Sequence, residues 1–249
     1  MLMNMKSLLA VANAHNFAVP AFNTPTGMMM RGILEASEEM NAPVIIEVHP
    51  DELALARPSF ITALVEEAHK AKVPVCIHMD HASTLDQIML AIQCGYTSVM
   101  IDASSKPFEE NVALTREVCR IAHAVDVSVE AELGTIGTTA QSMTTTSSTE
   151  IHYTEPEEAT RFVAETGVDT LAIAIGTCHG IYPKGMVPTL QIQRLKDIKK
   201  VVPIPLVLHG GSANKDEEIA EAARCGINKI NVCTDLFRHA TNATTKALE

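Results

Sequence analysis

A closed (β/α)8 barrel forming one domain over residues 1–249 is the fold the sequence predicts, and three observations predict it. Eight short apolar runs recur along the 249 residues, amphipathic stretches of helical length separate them, and no linker or composition shift divides the chain. Alternating strand and helix patterns imply a parallel sheet. Eight such units in about 250 residues close into a TIM-type barrel; an open doubly wound sheet is the runner-up.

The strand patterns are Phe17–Phe22, Pro43–Val48, Val73–His78, Thr97–Ile101, Val127–Leu133, Thr170–Ile175, Ile204–His209 and Lys229–Val232. Each is β-branched or almost continuously apolar, as a strand covered on both faces must be. Between them, Met28–Met40, Pro58–Ala71, Thr84–Cys94, Phe108–Ala124, Pro156–Thr166, Pro188–Lys199 and Asp216–Cys225 have apolar residues at helical spacing, and a last helix starts near Thr234. Gly95, Gly167 and Gly226 each stand between a helix pattern and the next strand, where a left-handed residue ends a helix most easily. Met1–His15 has one Lys and a short Leu/Ala helix pattern, too little for a signal peptide. Thr135–Ser148 is polar, rich in Thr and Ser, and without apolar periodicity, so it reads as a mobile loop after the fifth strand.

Composition narrows the function. Apolar residues at 47% and charged residues at 20% exclude a disordered chain. Asp plus Glu number 30 against 19 Lys plus Arg, a formal net charge of −11 with no basic stripe and no Trp. Neither nucleic acid nor an anionic membrane is therefore expected as a partner. No apolar run approaches the roughly 20 residues of a membrane span. Cys76, Cys94, Cys119, Cys178, Cys225 and Cys233 are dispersed without a C-x-x-C pair, the pattern of reduced thiols in a cytoplasmic protein.

In such a barrel, chemistry collects at the C-terminal ends of the strands. There the sequence puts Asn23, then His78-Met79-Asp80-His81, Asp102, Glu130 and Glu132, Gly176-Thr177-Cys178-His179-Gly180, His209-Gly210-Gly211-Ser212, and Asn231 with Thr234 just beyond. Packing alone would not choose polar residues at nearly every strand end. His81, His179 and His209 follow different strands and can converge on the mouth. Three imidazoles suit Zn²⁺ and leave a coordination position open; three unrelated loop histidines are the other reading. His78 is expected to point away from Asp80 or to pack in the wall, in a supporting role. His15, His69, His123 and His239 fall on helix patterns and are expected to be exposed. Gly180, Gly210, Gly211 and Ser212, with Asn231 and Thr234 at the start of the last helix, occupy the usual phosphate position of a barrel. A plain turn is the other reading of Gly-Gly-Ser.

Taken together these motifs resemble the class II, metal-dependent ketose-bisphosphate aldolases, the family of fructose- and tagatose-bisphosphate aldolases. The matching stretches are Val19-Pro20-Ala21-Phe22-Asn23, His78-Met79-Asp80-His81, Met100-Ile101-Asp102-Ala103-Ser104, Val129-Glu130-Ala131-Glu132-Leu133-Gly134, Ala174-Ile175-Gly176-Thr177-Cys178-His179-Gly180, Leu208-His209-Gly210-Gly211-Ser212 and Lys229-Ile230-Asn231. They stand in family order and span most of the chain. The resemblance implies a (β/α)8 barrel and a carbon–carbon lyase that reversibly cleaves a ketose 1-phosphate or 1,6-bisphosphate to dihydroxyacetone phosphate and an aldehyde. It implies that His81, His179 and His209 hold one catalytic divalent metal, normally zinc. Asp80 would handle the proton of the C4 hydroxyl. Asp102 and Glu132 match a second cation position, for a monovalent ion or an alternative metal position. Gly180, Gly210, Gly211, Ser212 and Thr234 would cradle the C1 phosphate, with Asn23 and Asn231 near the dihydroxyacetone-phosphate portion. No Schiff-base lysine is required, and Lys229, near the start of the eighth strand, is expected to face the wrong end. A cytoplasmic homodimer or homotetramer is the implied assembly.

The pattern departs from the family in three places. Typical members carry an acidic Gly-Gly-x-Glu-Asp-like stretch after the fifth-strand glutamate, supplying the base for the C3 proton. Here Gly134-Thr135-Ile136-Gly137-Thr138-Thr139-Ala140-Gln141 has no carboxylate, and the next is Glu150. Glu150 would serve only by swinging in; a plain surface residue is the other reading. After the second strand, His49-Pro50-Asp51-Glu52 replaces a small Ser/Gly pattern, so His49 and Arg57 can reshape the pocket for a different sugar tail. Relatives usually continue beyond the position of Glu249, so the chain is expected to lack their C-terminal helical tail. A catalytically impaired barrel that binds sugar phosphates or supports an aldolase complex is the alternative function.

Overall fold

The computed structural model describes residues 1–138, 151–180 and 189–249. In chain order its strands are β1 (Val19–Asn23), β2 (Val44–Val48), β3 (Val75–Ala82), β4 (Ser98–Ile101), β5 (Ser128–Leu133), β6 (Gly137–Thr138), β7 (Thr170–Ile173), β8 (Cys178–His179), β9 (Leu206–Leu208) and β10 (Ile227–Val232). Its helices are α1 (Met5–His15), α2 (Gly27–Glu39), α3 (Pro50–Ala56), α4 (Pro58–Lys70), α5 (Leu85–Cys94), α6 (Phe108–His123), α7 (Pro156–Thr166), α8 (Ile192–Val201), α9 (Asp216–Arg224) and α10 (Thr234–Leu248). Eight strands close into a barrel in the order β1-β10-β9-β7-β5-β4-β3-β2, while β6 and β8 pair separately. Every barrel pairing is parallel, including the seam between β1 and β10 that joins the two ends of the chain. The closed (β/α)8 barrel expected from the apolar runs is therefore the observed architecture, and the open sheet is excluded. Among the described residues no helix is long and apolar enough to cross a membrane.

Two apolar layers hold the barrel. The outward faces of the strands pack under the helices, where Ile61 and Leu64 of α4, Ile88 of α5 and Phe162 of α7 are completely buried. Each such side chain contributes about 1.5–3 kcal/mol by leaving water. The second layer lies at the N-terminal end, where Met5, Leu8, Leu9 and Ala12 of α1 pack on Val19, Ala21, Ile45 and Cys76. The Leu/Ala pattern before the first strand is thus the plug that closes the barrel floor.

Strand alternation then fixes what stands above that floor. Two residues beyond Ala21 comes Asn23, beyond Ile45 comes Glu47, and beyond Cys76 come His78 and then Asp80. The floor is apolar, while the middle and mouth of the barrel hold ionisable groups, many completely buried. This corrects one of the two readings of His78, the outward one, while its supporting role stands, and it corrects the expectation for Lys229. His78 lies on the same face as Asp80, because residues two apart on a strand share a face; its Nε2 is 3.6 Å from Glu130 Oε2. Lys229 does not face away: its four-carbon stem carries Nζ up the interior to Glu47 Oε1 at 2.6 Å and Glu130 Oε2 at 2.9 Å.

The helix α3 was not anticipated. Its signal is nevertheless present in the residues singled out as unusual. His49 is its N-cap, Pro50 its first residue, and Glu52 accepts the His49 backbone N–H at 2.8 Å in a capping box. The expected loop at 135–148 and Glu150 fall largely outside the described residues, at 139–150.

Candidate active site

At the mouth, β3 breaks its own alternation. Its register with β4 shifts between Met79 and Ala82, and His81 takes a positive φ of 48°. A regular strand would send His81 outward after an inward Asp80. The bulge turns both side chains into the barrel, a recurrent use of bulges beside active sites.

The Asp80 carboxylate is buried and held from both sides of the barrel seam. Asn23 Nδ2 of β1 donates to Oδ2 at 3.1 Å, and Asn231 Nδ2 of β10 donates to Oδ1 at 3.3 Å. Burial by itself raises a carboxyl, but the positive charge of His81, His209 and Lys229 overcomes it and holds Asp80 well below the usual range. Asp80 is therefore a carboxylate, able to accept a proton.

The histidines are oriented by carboxylates. His81 Nδ1 meets Asp102 Oδ2 at 2.8 Å, and Asp102 Oδ1 accepts from the Ser104 hydroxyl at 2.7 Å. His209 Nε2 meets Glu130 Oε1, also at 2.8 Å. The remaining nitrogens, His81 Nε2 and His209 Nδ1, face one another at 2.9 Å. The ring of His179, carried on β8, lies 5.0 Å from that of His81 and 5.7 Å from that of His209. Each of the three offers a ligand atom within 4.8 Å of the others. Burial lowers His81, yet Asp80 and Asp102 push it up to about 10, whereas burial and the neighbouring imidazoles take His179 down to about 3. Imidazole nitrogens converging on one another, those of His81 and His209 with their far sides on carboxylates, are the donor set that fits a divalent metal once His81 gives up its proton.

Beside them, His81, Asp102 and Glu132 form a second convergent group. Burial first, then the Asp102 charge, drive Glu132 well above its ordinary range. Its Oε2 is buried with no hydrogen-bond partner among the described residues. An added positive charge would satisfy that oxygen, so this group too fits a cation.

The glycine loop after β9 is tightly packed. A Cβ on Gly210 would stand 2.6 Å from the Cys178 carbonyl oxygen, and one on Gly211 would stand 2.6 Å from Ile230 Cγ2 and 2.7 Å from Asn231 O. Gly210 also needs a φ of 62°. Gly211 N–H donates to Asn231 O at 2.9 Å, so this loop and the end of β10 form one unit, next to Cys178 of β8, which leads through His179 into Gly180. Ser212 Oγ accepts the Asp235 N–H at 3.1 Å, tying the loop to the first turn of α10, which Thr234 opens. Asp235, not foreseen from sequence, accepts Ala213 N–H at 2.9 Å. Five expected phosphate residues, Gly180, Gly210, Gly211, Ser212 and Thr234, thus belong to neighbouring loops at one edge of the mouth.

His49 and Arg57 are separated in role. The His49 ring is 6.5 Å from His81, at the rim. Arg57 lines a cavity of about 280 Å³ with Pro50, Asp51, Met79, Gln87 and Leu90, on the outward side of β3. Two buried residues, Glu47 and Glu52, were given no role from sequence, and Lys229 was expected to face the wrong end. Period-two counting from Ala21 and Ile45 would have found Glu47, and the capping box would have found Glu52.

Known proteins share this fold. The family described as "Fructose-bisphosphate aldolase class-II" matches residues 3–249. The YdjI aldolase from Escherichia coli K12 is similar at 36% identity and a TM-score of 0.90, over 100% of this chain and 88% of that one. A putative fructose-1,6-bisphosphate aldolase from Coccidioides immitis is similar at 32% identity and a TM-score of 0.85, covering 92% and 81% of the two chains. The fructose-bisphosphate aldolase of Campylobacter jejuni shares 28% identity at a TM-score of 0.78, over 94% and 77%. With a closed barrel, three converging histidines and a family match over almost its whole length, the chain belongs to the class II fructose-bisphosphate aldolase family.

Proposed function

We propose that the protein reversibly cleaves a ketose 1-phosphate or 1,6-bisphosphate to dihydroxyacetone phosphate and an aldehyde, with zinc as the metal. The observation that carries this reading is the Asp80 carboxylate, held by Asn23 and Asn231 next to His81. Asp80 removes the C4 hydroxyl proton in cleavage and returns it in condensation. A divalent cation held by His81, His179 and His209 supplies Lewis-acid stabilisation of the negative charge left on the substrate. Ser212 has given its oxygen to the Asp235 N–H, so its O–H remains free to donate to the C1 phosphate, alongside backbone N–H groups of the glycine loops and the start of α10. Asp102 and Glu132 form the second cation position, for a monovalent ion or an alternative metal. The retained Asp80 and oriented histidines favour this enzyme over an impaired binding barrel. A cytoplasmic homodimer or homotetramer without nucleic-acid or membrane partners is the proposed setting.

The test is to measure bound metal and to screen ketose phosphates for dihydroxyacetone phosphate release with and without chelator. Metal-free protein whose activity ignores the chelator would overturn the reading.

A further inference from the structure

Beneath the mouth runs a chain of contacts that neither proton transfer nor phosphate binding uses. Glu47 Oε1 lies 2.6 Å from Lys229 Nζ, and the same ammonium lies 2.9 Å from Glu130 Oε2. The other oxygen of Glu130 meets His209 Nε2 at 2.8 Å. All four side chains are completely shielded from solvent. A third neighbour braces the same carboxylate: His78 Nε2 is 3.6 Å from Glu130 Oε2, while its Nδ1 meets the Ser98 hydroxyl at 2.9 Å.

A carboxylate with two oxygens and two fixed partners cannot rotate without losing one of them. Glu130 is therefore locked between a cation below and an imidazole above. The imidazole is locked in turn, with Nε2 directed down and Nδ1 directed at His81 Nε2. Without the ammonium, Glu130 Oε2 would keep only its 3.6 Å neighbour His78, and the ring of His209 would lose its fixed aim.

We infer that Lys229 is a positioning residue for the metal centre: through Glu130 it fixes the orientation in which His209 presents Nδ1. Glu47 anchors the ammonium from β2, two strands round the barrel from β10. The lysine touches neither substrate nor metal; it sets the ligand geometry from within the barrel. This inference rests on His81, His179 and His209 being the metal site. An ammonium suits the task because its stem reaches along the interior and its charge lies against two carboxylates at once.

The experiment titrates zinc and cobalt(II) into metal-free wild type and Lys229→Met, following affinity by competition with a chelator and ligand geometry by the visible absorption of bound cobalt. Supporting groups of metal ligands typically alter affinity by roughly 10–100-fold. K229M is expected to bind in that weakened range with a shifted cobalt band, while remaining folded by circular dichroism. A folded K229M with unchanged affinity and unchanged cobalt spectrum overturns the inference. K229M/E47Q carries the same test where K229M alone fails to fold, because no second carboxylate is then left opposite the lost ammonium. Nitrogen-15 NMR of the zinc-loaded wild type gives an independent reading: ligation of His209 through Nδ1 is expected, and ligation through Nε2 overturns the inference whatever the variants do. Wild type that binds neither metal would instead sink the metal site itself, a separate failure.

Discussion

His81 Nε2 and His209 Nδ1 meet at 2.9 Å while Asp102 and Glu130 hold the far sides of the two rings. Two imidazoles without a cation between them have one proton at most to share across that gap. A metal held as proposed would replace that contact, with His179 as the third donor. His179→Ala is accordingly expected to weaken zinc binding by at least about 100-fold, beyond the effect typical of groups outside the ligand set. Metal content after dialysis checks this, and unchanged content would remove His179 from the site.

Asp80 is expected to separate chemistry from metal binding. Asp80→Asn keeps the shape and the surrounding amides but cannot take a proton. The expected outcome is a fall in kcat of about 10²–10⁴-fold with metal content retained. Parallel loss of metal and activity would instead place Asp80 among the ligands.

Glu52 links stability to pH. Burial raises its carboxyl to about 7 against an ordinary value of 4.5, so the folded protein favours the protonated form. Its contribution is complete below 4.5 and is lost as pH rises through about 7. Glu52→Gln does not titrate, so relative to wild type it gains stability with rising pH, by up to about 3 kcal/mol above pH 8. Urea unfolding of the metal-free proteins at pH 5 and pH 8 checks this; a difference independent of pH would contradict it.

Gly211→Ala forces a Cβ to within 2.6 Å of Ile230 and 2.7 Å of Asn231 O. Neither neighbour is the free end of a flexible chain. Overpacking of this kind costs about 1–3 kcal/mol, and here it also displaces the strand that carries the Asn231 amide. Reduced unfolding midpoint together with reduced activity is the expected result. Full activity at wild-type stability would show that the loop yields.

Most of the barrel was legible because burial on both faces gives each strand an apolar signature and each helix a stripe. The strand ends were legible for the opposite reason: Asp80, His81, His179 and His209 are residues that packing does not select. What escaped was the interior between floor and mouth. Lys229 looked like a residue near a strand start, and only the path of its side chain shows which way it reaches. The outward reading of His78 failed because alternation was not carried through from Asp80, while its reading as a buried supporting residue stands. The bulge at His81 had no sequence signature at all, since its positive φ falls on a residue other than glycine.

The two asparagines that grip Asp80 come from the first and last strands of the barrel, on either side of its closing seam. The group proposed for proton transfer is therefore completed only when the last barrel strand pairs with the first. During synthesis Asn23 precedes Asp80 by 57 residues, and Asn231 follows Asp80 by 151. Catalysis in this protein reports ring closure itself, and two complementing fragments would regain activity only when that final strand docks.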